Sequence, residues 1–254
     1  MKRRPLRLLH TSDVHVGGGF TTPNGGEHDD VCRCPVEAIV AAAHTHRVDA
    51  VLVVGDLFDH GRVAADVIAR SLARLGGLDV PTVLVPGNHD VHHDDGLYRR
   101  HAAALDDSGL HFLGDLAGST LELFDGALHL WGKAIDDHHP GYRPLHDAPC
   151  GRPDPDAWYV ALGHGHYVGN EDPAKQMRSS PITATDIAAT RADYVALGHW
   201  HVRTDVSEAE VPAWYCGSPL LSWGDGGGLV VDLDPDSGVK VQHVDMVSPP
   251  AGCA

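Results

Sequence analysis

The sequence predicts an α/β fold, on three observations. Short apolar runs alternate with helical stretches from Arg7 to Asp90. Two alternating runs flank Asp125-Gly126, and further apolar runs return before the C-terminus. One after another, the apolar runs end in Asp, Asn, His and Gly. Strand–helix alternation marks parallel strands joined by crossover helices. Sites in such sheets gather beyond the carboxyl ends of the strands.

Residues 7–11 read as the first strand, which runs into Ser12-Asp13-Val14-His15 and a glycine-rich loop over 17–26. Residues 36–46 are alanine-rich with helical spacing behind Pro35, a residue suited to a first helical turn. The run 50–54 is short, continuous and valine-rich, as a strand buried on both faces is, and it stops at Gly55-Asp56. Helical spacing returns over 63–75 through Val67, Ile68, Leu72 and Leu75. A third buried strand, 81–85, ends at Pro86-Gly87-Asn88-His89-Asp90. Asp125-Gly126 between 120–124 and 127–131 is a hairpin signal, because Asp-Gly takes the positive φ of a tight turn. Residues 136–157, rich in Pro, Asp, His and Gly, read as an irregular surface loop. Strands come next over 158–162 and 193–197; then 213–216, 229–233 and 239–244 close the fold as antiparallel strands. The segment from Tyr159 to His166 returns as Tyr194 to His201 with one difference. One echo makes no solenoid; it reads as two strands that throw histidines off the same sheet edge. With no linker in the chain, one domain over 1–254 is expected.

The 254 residues suffice for one large core, and 43% apolar with 21% charged is an ordinary soluble composition. No apolar run approaches the ~18 residues of a membrane-spanning helix. The basic N-terminus reaches His10 and Asp13 too soon for a signal-peptide core. No membrane partner is expected, and a cytoplasmic location with reduced thiols is. Cys32, Cys34, Cys150, Cys216 and Cys253 form no disulfide framework. Cys32-Arg33-Cys34 beside His28 is either a small metal clip or, as preferred, two reduced cysteines at a helix start. A net charge of −16 argues against holding nucleic acid through a broad basic surface. The 20 histidines are the loudest departure in this composition, and their positions carry the chemistry.

Five strand ends carry metal-ligating residue types: Asp13 and His15; Asp56 and Asp59; Asn88, His89 and Asp90; His164 and His166; His199 and His201. A solvated loop explains any one of them but not all five. Carboxylate, imidazole and amide oxygen suit Mn²⁺, Fe or Zn²⁺ better than a structural thiolate zinc. The groups are too many for one tetrahedral ion, and two ions ~3.5–4 Å apart clamp both oxygens of an in-line phosphoryl displacement. The serine elbow Gly-x-Ser-x-Gly, the zincin His-Glu-x-x-His and the P-loop lysine motif are all absent.

Asp13-x-His15, Gly55-Asp56-x-x-Asp59, Gly87-Asn88-His89-Asp90, Gly163-His164 and Gly198-His199-x-His201 together resemble the motif series of the calcineurin-like metallophosphoesterases, in that family's order over residues 8–201. Residues 9–17, Gly55 to Asp59, 194–201 and Tyr215-Cys216-Gly217-Ser218-Pro219 are similar to the SbcD-type DNA repair exonucleases within it. The resemblance implies a two-sheet β-sandwich flanked by helices, four layers in the order αββα, with the ligands at one edge. It implies two divalent metal ions, Mn²⁺ first and Fe or Zn²⁺ as alternatives. Asp13, His15 and His201 would hold one ion, Asn88, His164 and His199 the other, and Asp56 would bridge them. It further implies two catalytic residues. His89 would stand beside the scissile phosphate as general acid or charge partner, and Asp90 would orient His89 as an acceptor.

Other positions stay open. Asp59 either braces a ligand histidine or, as preferred, caps the following helix. His166 is an alternative ligand, a phosphate contact or, as preferred, a surface histidine. Arg99 and Arg100 either meet a phosphate backbone or form a solvated helix face. Lys2, Arg3, Arg4 and Arg7 read as a frayed, solvated terminus.

The expected activity is two-metal phosphodiester hydrolysis, on DNA ends first. The alternative is a small-molecule (cyclic nucleotide) phosphodiesterase or a phosphoprotein phosphatase. Two divalent ions leave the pocket at about +1 after Asp13, Asp56 and a deprotonated water are counted. One phosphodiester can then enter through a surface that repels polyanions. The resemblance also implies an SbcC-like ATPase partner. Yet the chain reaches Ala254 soon after its closing strands, so no C-terminal DNA-capping or partner-docking domain is expected. That and the acidic charge weigh toward the alternative. A catalytically silent metal-bound scaffold is a third reading, opposed by His89 and the complete ligand set.

Overall fold

The structure, a computed structural model, describes residues 3–18, 33–171, 178–220 and 224–246, the side chains of Arg33 and Cys34 excepted. The chain runs β1 (Leu6–Thr11), α1 (Arg33–His46), β2 (Ala50–Val54), α2 (Ala65–Gly76), β3 (Thr82–Val85), α3 (Leu97–Arg100), α4 (Ala102–Asp106), β4 (His111–Phe112), β5 (Ser119–Leu123), β6 (Leu128–Gly132), β7 (Trp158–His164), β8 (His166–Gly169), β9 (Pro181–Thr183), α5 (Ala184–Thr190), β10 (Tyr194–Gly198), β11 (Thr204–Asp205), β12 (Ala213–Tyr215), β13 (Gly227–Asp234) and β14 (Gly238–Asp245).

Two mixed sheets of six strands result, in the orders β14-β13-β1-β2-β3-β4 and β11-β12-β10-β7-β6-β5. Within them β1 to β4 are mutually parallel, as are β6, β7, β10 and β12. The central strands β2, β3, β7 and β10 are buried at every position, which is why they read as unbroken apolar runs. Their period of two divides each strand between two cores. Leu8, Leu52, Val54, Val83 and Val85 face Leu130, Trp158, Val160, Leu162 and Tyr194 between the sheets. Leu9, Val51, Val53 and Leu84, on the other face of the first sheet, pack under Ile39 of α1 and Ile68, Leu72 and Leu75 of α2. Tyr159, Ala161, Val195 and Leu197 pack with Ile187 of α5 on the far face of the second. Helix, sheet, sheet and helix are thus the four layers of the α/β sandwich.

The Asp125-Gly126 hairpin stands, with Leu123 opposite Leu128 and positive φ at Phe124, Asp125 and Gly126 (58°, 56° and 82°). The echoed segments are neighbours, as β7 and β10. Their register pairs Tyr194 with Val160 and Gly198 with His164, one residue out of step with the echo. His199 therefore lies one step beyond the level of His164, and the two imidazoles share one end without competing for one place.

Several short elements were not expected. Helix α5 opens on a capping box: Asp186 N–H donates to Thr183 Oγ1 at 3.0 Å, and Thr183 N–H donates to Asp186 Oδ2 at 2.8 Å. The Thr183-x-x-Asp186 spacing carried that signal. The basic N-terminus is not frayed from Arg3 onward. Arg3 pairs with Asp193 at 3.1 Å and lies 4.4 Å over the Trp158 ring, and Arg7 pairs with Asp232 at 2.6 Å. Lys2, the glycine-rich loop from Gly19 on, and Cys32 lie outside the described residues, and with them the proposed metal clip. Among the described residues no helix is long and apolar enough to cross a membrane.

Candidate metal centre

The strand ends meet at one edge of the sandwich. Beyond β1 and β2 the chain stays zipped by backbone hydrogen bonds. Asp13 N–H donates to Gly55 O (3.1 Å), Val14 and His15 N–H to Asp56 O (2.8 and 3.0 Å), and Val16 N–H to Leu57 O (2.9 Å). The zip holds Asp13 (φ 53°), His15 (50°) and Asp56 (53°) in the left-handed region, and His199 sits at φ 108°. Such backbone costs on the order of 1–3 kcal/mol per non-glycine residue and persists only where the surroundings over-determine it. Four of the ten non-glycine residues with positive φ among the described residues are thus ones that sequence marked for chemistry. Gly55 and Gly87 are glycine for space. A Cβ on Gly55 would run into the His164 imidazole, and one on Gly87 into the Asp56 carboxylate.

Two half-sites form. In one, Asp13 Oδ1 lies 3.6 Å from His201 Nε2 and 4.0 Å from His15 Nε2, and those two nitrogens are 3.2 Å apart. In the other, Asn88 Oδ1 lies 2.8 Å from His199 Nδ1 and 3.0 Å from His164 Nε2. Asp56 stands between them. Its Oδ2 is 3.2 Å from His164 Nε2, and its Oδ1 accepts the His89 N–H at 2.8 Å. It clusters with Asp13 and His164 on one side and with His15 and His89 on the other. The fold therefore brings together Asp13, His15, Asp56, Asn88, His164, His199 and His201.

These residues fit divalent cations. Asp13 Oδ1 is buried and accepts no hydrogen bond among the described residues. A buried carboxyl oxygen left without a donor beside two imidazole nitrogens is an unsatisfied acceptor that a cation would satisfy. The charge balance points the same way. Burial pushes the Asp13 carboxyl up, His164 pulls it down, and Asp56 pushes it up again. Burial also opposes the Asp56 charge, yet His164 holds that carboxyl well below the usual carboxylate range. His164 itself, against the pull of burial, is raised to about 10 by Asp56. Burial lowers His15 and His199 to about 3, so both are neutral and keep a lone pair for a metal. Without metal, a proton on His164 is what balances Asp56.

Partners behind the site fix the rings. His164 Nδ1 lies 2.8 Å from Val54 O, and His15 Nδ1 lies 3.1 Å from Asp59 Oδ1. Asp59 thus stands beside a histidine at ion-pair distance, without a hydrogen bond between those two atoms. It does not cap α2, which starts at Ala65 behind Ala64 with no side-chain cap. Asp13 Oδ2 accepts the Ser12 hydroxyl and, at 3.0 Å, the His199 N–H. The His89 ring stands 4.7 Å from that of His15, and its Nδ1 lies 2.7 Å from the Asp59 carbonyl. Asp90 turns elsewhere. Its Oδ1 accepts Gly87 N–H at 2.7 Å, and its Oδ2 accepts Phe58 N–H at 3.1 Å and the Tyr98 hydroxyl at 2.6 Å. The orienting contact expected from Asp90 thus comes to His89 from the Asp59 carbonyl, while Asp90 ties the Gly87 and Phe58 loops together. Burial and then the Asp56 charge raise Asp90 to about 6, opposed by its hydrogen bonds.

His166 joins no cluster of three potential ligands among the described residues. Nor is it a plain surface ring: it is half-buried, and its Nδ1 accepts the Trp200 indole N–H at 3.1 Å. His138 comes from the loop read as irregular, and its ring lies 5.8 Å from that of His199. Sequence reading missed it, although Asp136-Asp137-His138-His139 has the composition of the strand ends. Arg99 and Arg100 lie on α3, where Arg100 donates to the Gly61 carbonyl.

Known proteins resemble this chain in sequence and fold. The sequence pattern of the calcineurin-like phosphoesterases matches residues 6–203. The SbcD chain of the SbcCD nuclease of Escherichia coli K12 is 28% identical over 284 aligned positions, covering 96% of this chain and 68% of the relative. Its Bacillus subtilis counterpart is 26% identical over 94% of this chain and 69% of its own. The DNA double-strand break repair protein Mre11 of Methanopyrus kandleri is 25% identical, over 82% and 51%. The crystal structure of TT1561 of Thermus thermophilus superposes with a TM-score of 0.60 at 14% identity, over 96% of this chain and 100% of that one, and so shares the fold. A family pattern running from β1 to just past His201, over a fold whose buried Asp and His residues cluster at one edge, makes the chain a member of the calcineurin-like phosphoesterase family and a metal-dependent phosphoesterase.

Proposed function

We propose that the protein is a two-metal phosphodiesterase that acts on DNA ends. Asp13, His15 and His201 would hold one ion, Asn88, His164 and His199 the second, and Asp56 would touch both. Mn²⁺ is the first choice for this mixed oxygen and nitrogen set, with Fe or Zn²⁺ next. Bound cations would supply positive charge to the phosphoryl oxygens and lower the pKa of water at the site. His89 would serve the leaving oxygen. A carbonyl only accepts, so Nδ1 carries a proton toward the Asp59 carbonyl, and the doubly protonated ring would present Nε2–H to the leaving oxygen.

The observation that carries the DNA part is the near end-to-end similarity to the SbcD chains of SbcCD nucleases, 96% of this chain. On that reading an SbcC-like ATPase is the partner to look for. A second reading, a phosphodiesterase for small molecules, is favoured by the net charge of −16 and by arginines held in ion pairs with Asp193, Asp49 and Asp232. Cleavage of an end-labelled linear duplex with added Mn²⁺ tests the two, with His89→Ala alongside. The nuclease reading expects cleavage that His89→Ala lowers by about 10²–10⁴-fold with metal content unchanged. Intact DNA from a metal-loaded protein that turns over a small chromogenic diester would replace it with the second.

A further inference from the structure

We propose that His166 and His138, clasped by Ser180, form a phosphate contact beside His199. The proposal deepens the phosphoesterase reading and rests on it. His166 is held at three points. Its N–H donates to Ser180 O at 2.9 Å, the preceding Gly165 carbonyl accepts the Tyr215 hydroxyl at 2.7 Å, and its Nδ1 accepts the Trp200 indole N–H at 3.1 Å. Trp200 is itself stacked on Tyr215 at 4.5 Å. An indole N–H only donates, so Nδ1 of His166 carries no proton and Nε2 carries one. That Nε2–H is an oriented donor with no hydrogen-bond partner among the described residues.

His138 completes the pair. Its Nδ1 lies 3.2 Å from Ser180 Oγ, and the Ser180 N–H donates to the carbonyl of the adjacent His139 at 3.1 Å. The rings of His138 and His166 lie 5.8 and 5.9 Å from that of His199. Ser180 makes its links to His166, His138 and His139 from a buried, left-handed backbone at φ 51°. A strained residue that joins two segments beside a site is held there by its surroundings. Here it pre-sets two imidazoles next to the metal half-site of Asn88, His164 and His199. A phosphoryl oxygen is the acceptor that the His166 Nε2–H suits, and the one His138 suits where the Ser180 hydroxyl donates to its Nδ1.

The test is inorganic phosphate binding to the Zn²⁺-loaded protein by calorimetry, with metal content measured in parallel. His166→Ala and His138→Ala should each weaken phosphate at least tenfold, the worth of a hydrogen bond to a charged acceptor, with metal content unchanged. His166→Gln, which keeps a donor, should recover most of the loss. With a diester substrate the Ala variants should raise KM and leave kcat within about threefold. A second measurement needs no altered protein in the titration. The ¹⁵N signal of His166 Nε2, assigned by its loss in His166→Gln, should shift when phosphate is added. Phosphate affinity within twofold of wild type in both Ala variants overturns the proposal. So does metal lost together with phosphate, or a His166 signal blind to phosphate. A protein that cuts no DNA yet binds phosphate through His166 would sink the nuclease reading and leave this contact standing.

Discussion

Asp59 stands behind His15: its Oδ1 lies 3.1 Å from Nδ1, which leaves the His15 Nε2 to face His201 Nε2 at 3.2 Å. The same residue's carbonyl takes Nδ1 of His89 at 2.7 Å. One residue thus meets two rings, the first through its side chain at ion-pair distance and the second through a hydrogen bond to its backbone carbonyl. The two contacts can be separated by mutation.

Asp59→Ala removes the carboxylate beside His15 and keeps the carbonyl. Loss of such a partner costs ~10–100-fold in metal affinity. We expect that loss at the half-site of Asp13, His15 and His201, with little change at the half-site of Asn88, His164 and His199. Titration of the metal-free protein with Mn²⁺ or Zn²⁺ should split into one weakened and one near-normal step. Two equally weakened steps, or none, would contradict the assignment.

How much of this site is legible in sequence depends on what places each residue. Asp13, Asp56, Asn88, His164 and His199 come within a few residues of the ends of apolar runs, and parallel strands put the residues just beyond their ends at one edge. Periodicity and adjacency were therefore enough to list them. Asp59 depends on where α2 starts, and the helix begins at Ala65, too far on for Asp59 to cap it. Asp90 stands next to His89 in sequence, yet neighbours in a tight loop diverge. The Tyr98 hydroxyl and the Gly87 and Phe58 amides take both its oxygens. His138 comes from a loop with no period at all, so only the fold could bring it to His199. The four layers were equally out of reach of local pattern, which showed strands and helices but not which sheet each strand joins.

Asp56 is the carboxylate that touches both half-sites, so Asp56→Asn should lower activity more than loss of any other single ligand. The neutral amide cannot balance two cations, and metal content should fall below that of any half-site variant. Activity and metal stoichiometry of Asp56→Asn, compared with His201→Ala and His199→Ala, decide the matter. A full metal complement in Asp56→Asn would remove its bridging role.

Metal binding should release protons. In the metal-free chain His164 is raised to about 10 by Asp56 and holds a proton at neutral pH. A metal at Nε2 must displace it. The sign is fixed: below about pH 10 each fall of one pH unit costs up to about tenfold in affinity through this group. Calorimetry in buffers of different ionisation heat should show about one proton released per chain at pH 7.5 from this histidine. Asp56→Asn removes the charge that raises His164 and should lower the proton count. An unchanged count would mean that the proton sits elsewhere.

His10 ties pH to stability away from the ligands. It is fully buried, with Nδ1 2.9 Å from the Tyr194 hydroxyl and Nε2 3.2 Å from Leu197 O. The carbonyl accepts, so Nε2 carries the proton and Nδ1 accepts from Tyr194. Burial lowers His10 to about 3, only partly offset by the bond to Leu197, against an ordinary value of 6.5 in the unfolded chain. Its folded value is depressed, so the neutral ring supports the fold fully above pH 6.5. That support is lost as pH falls from 6.5 toward 3, by up to about 1.4 kcal/mol per pH unit, because the unfolded chain then takes up the proton. His10→Gln offers a donor and an acceptor without titrating. Urea unfolding of the metal-free proteins at pH 7 and pH 5 should show wild type losing about 1–2 kcal/mol more stability than His10→Gln over that interval. Equal losses in the two proteins would show that His10 does not carry the acid sensitivity of the fold.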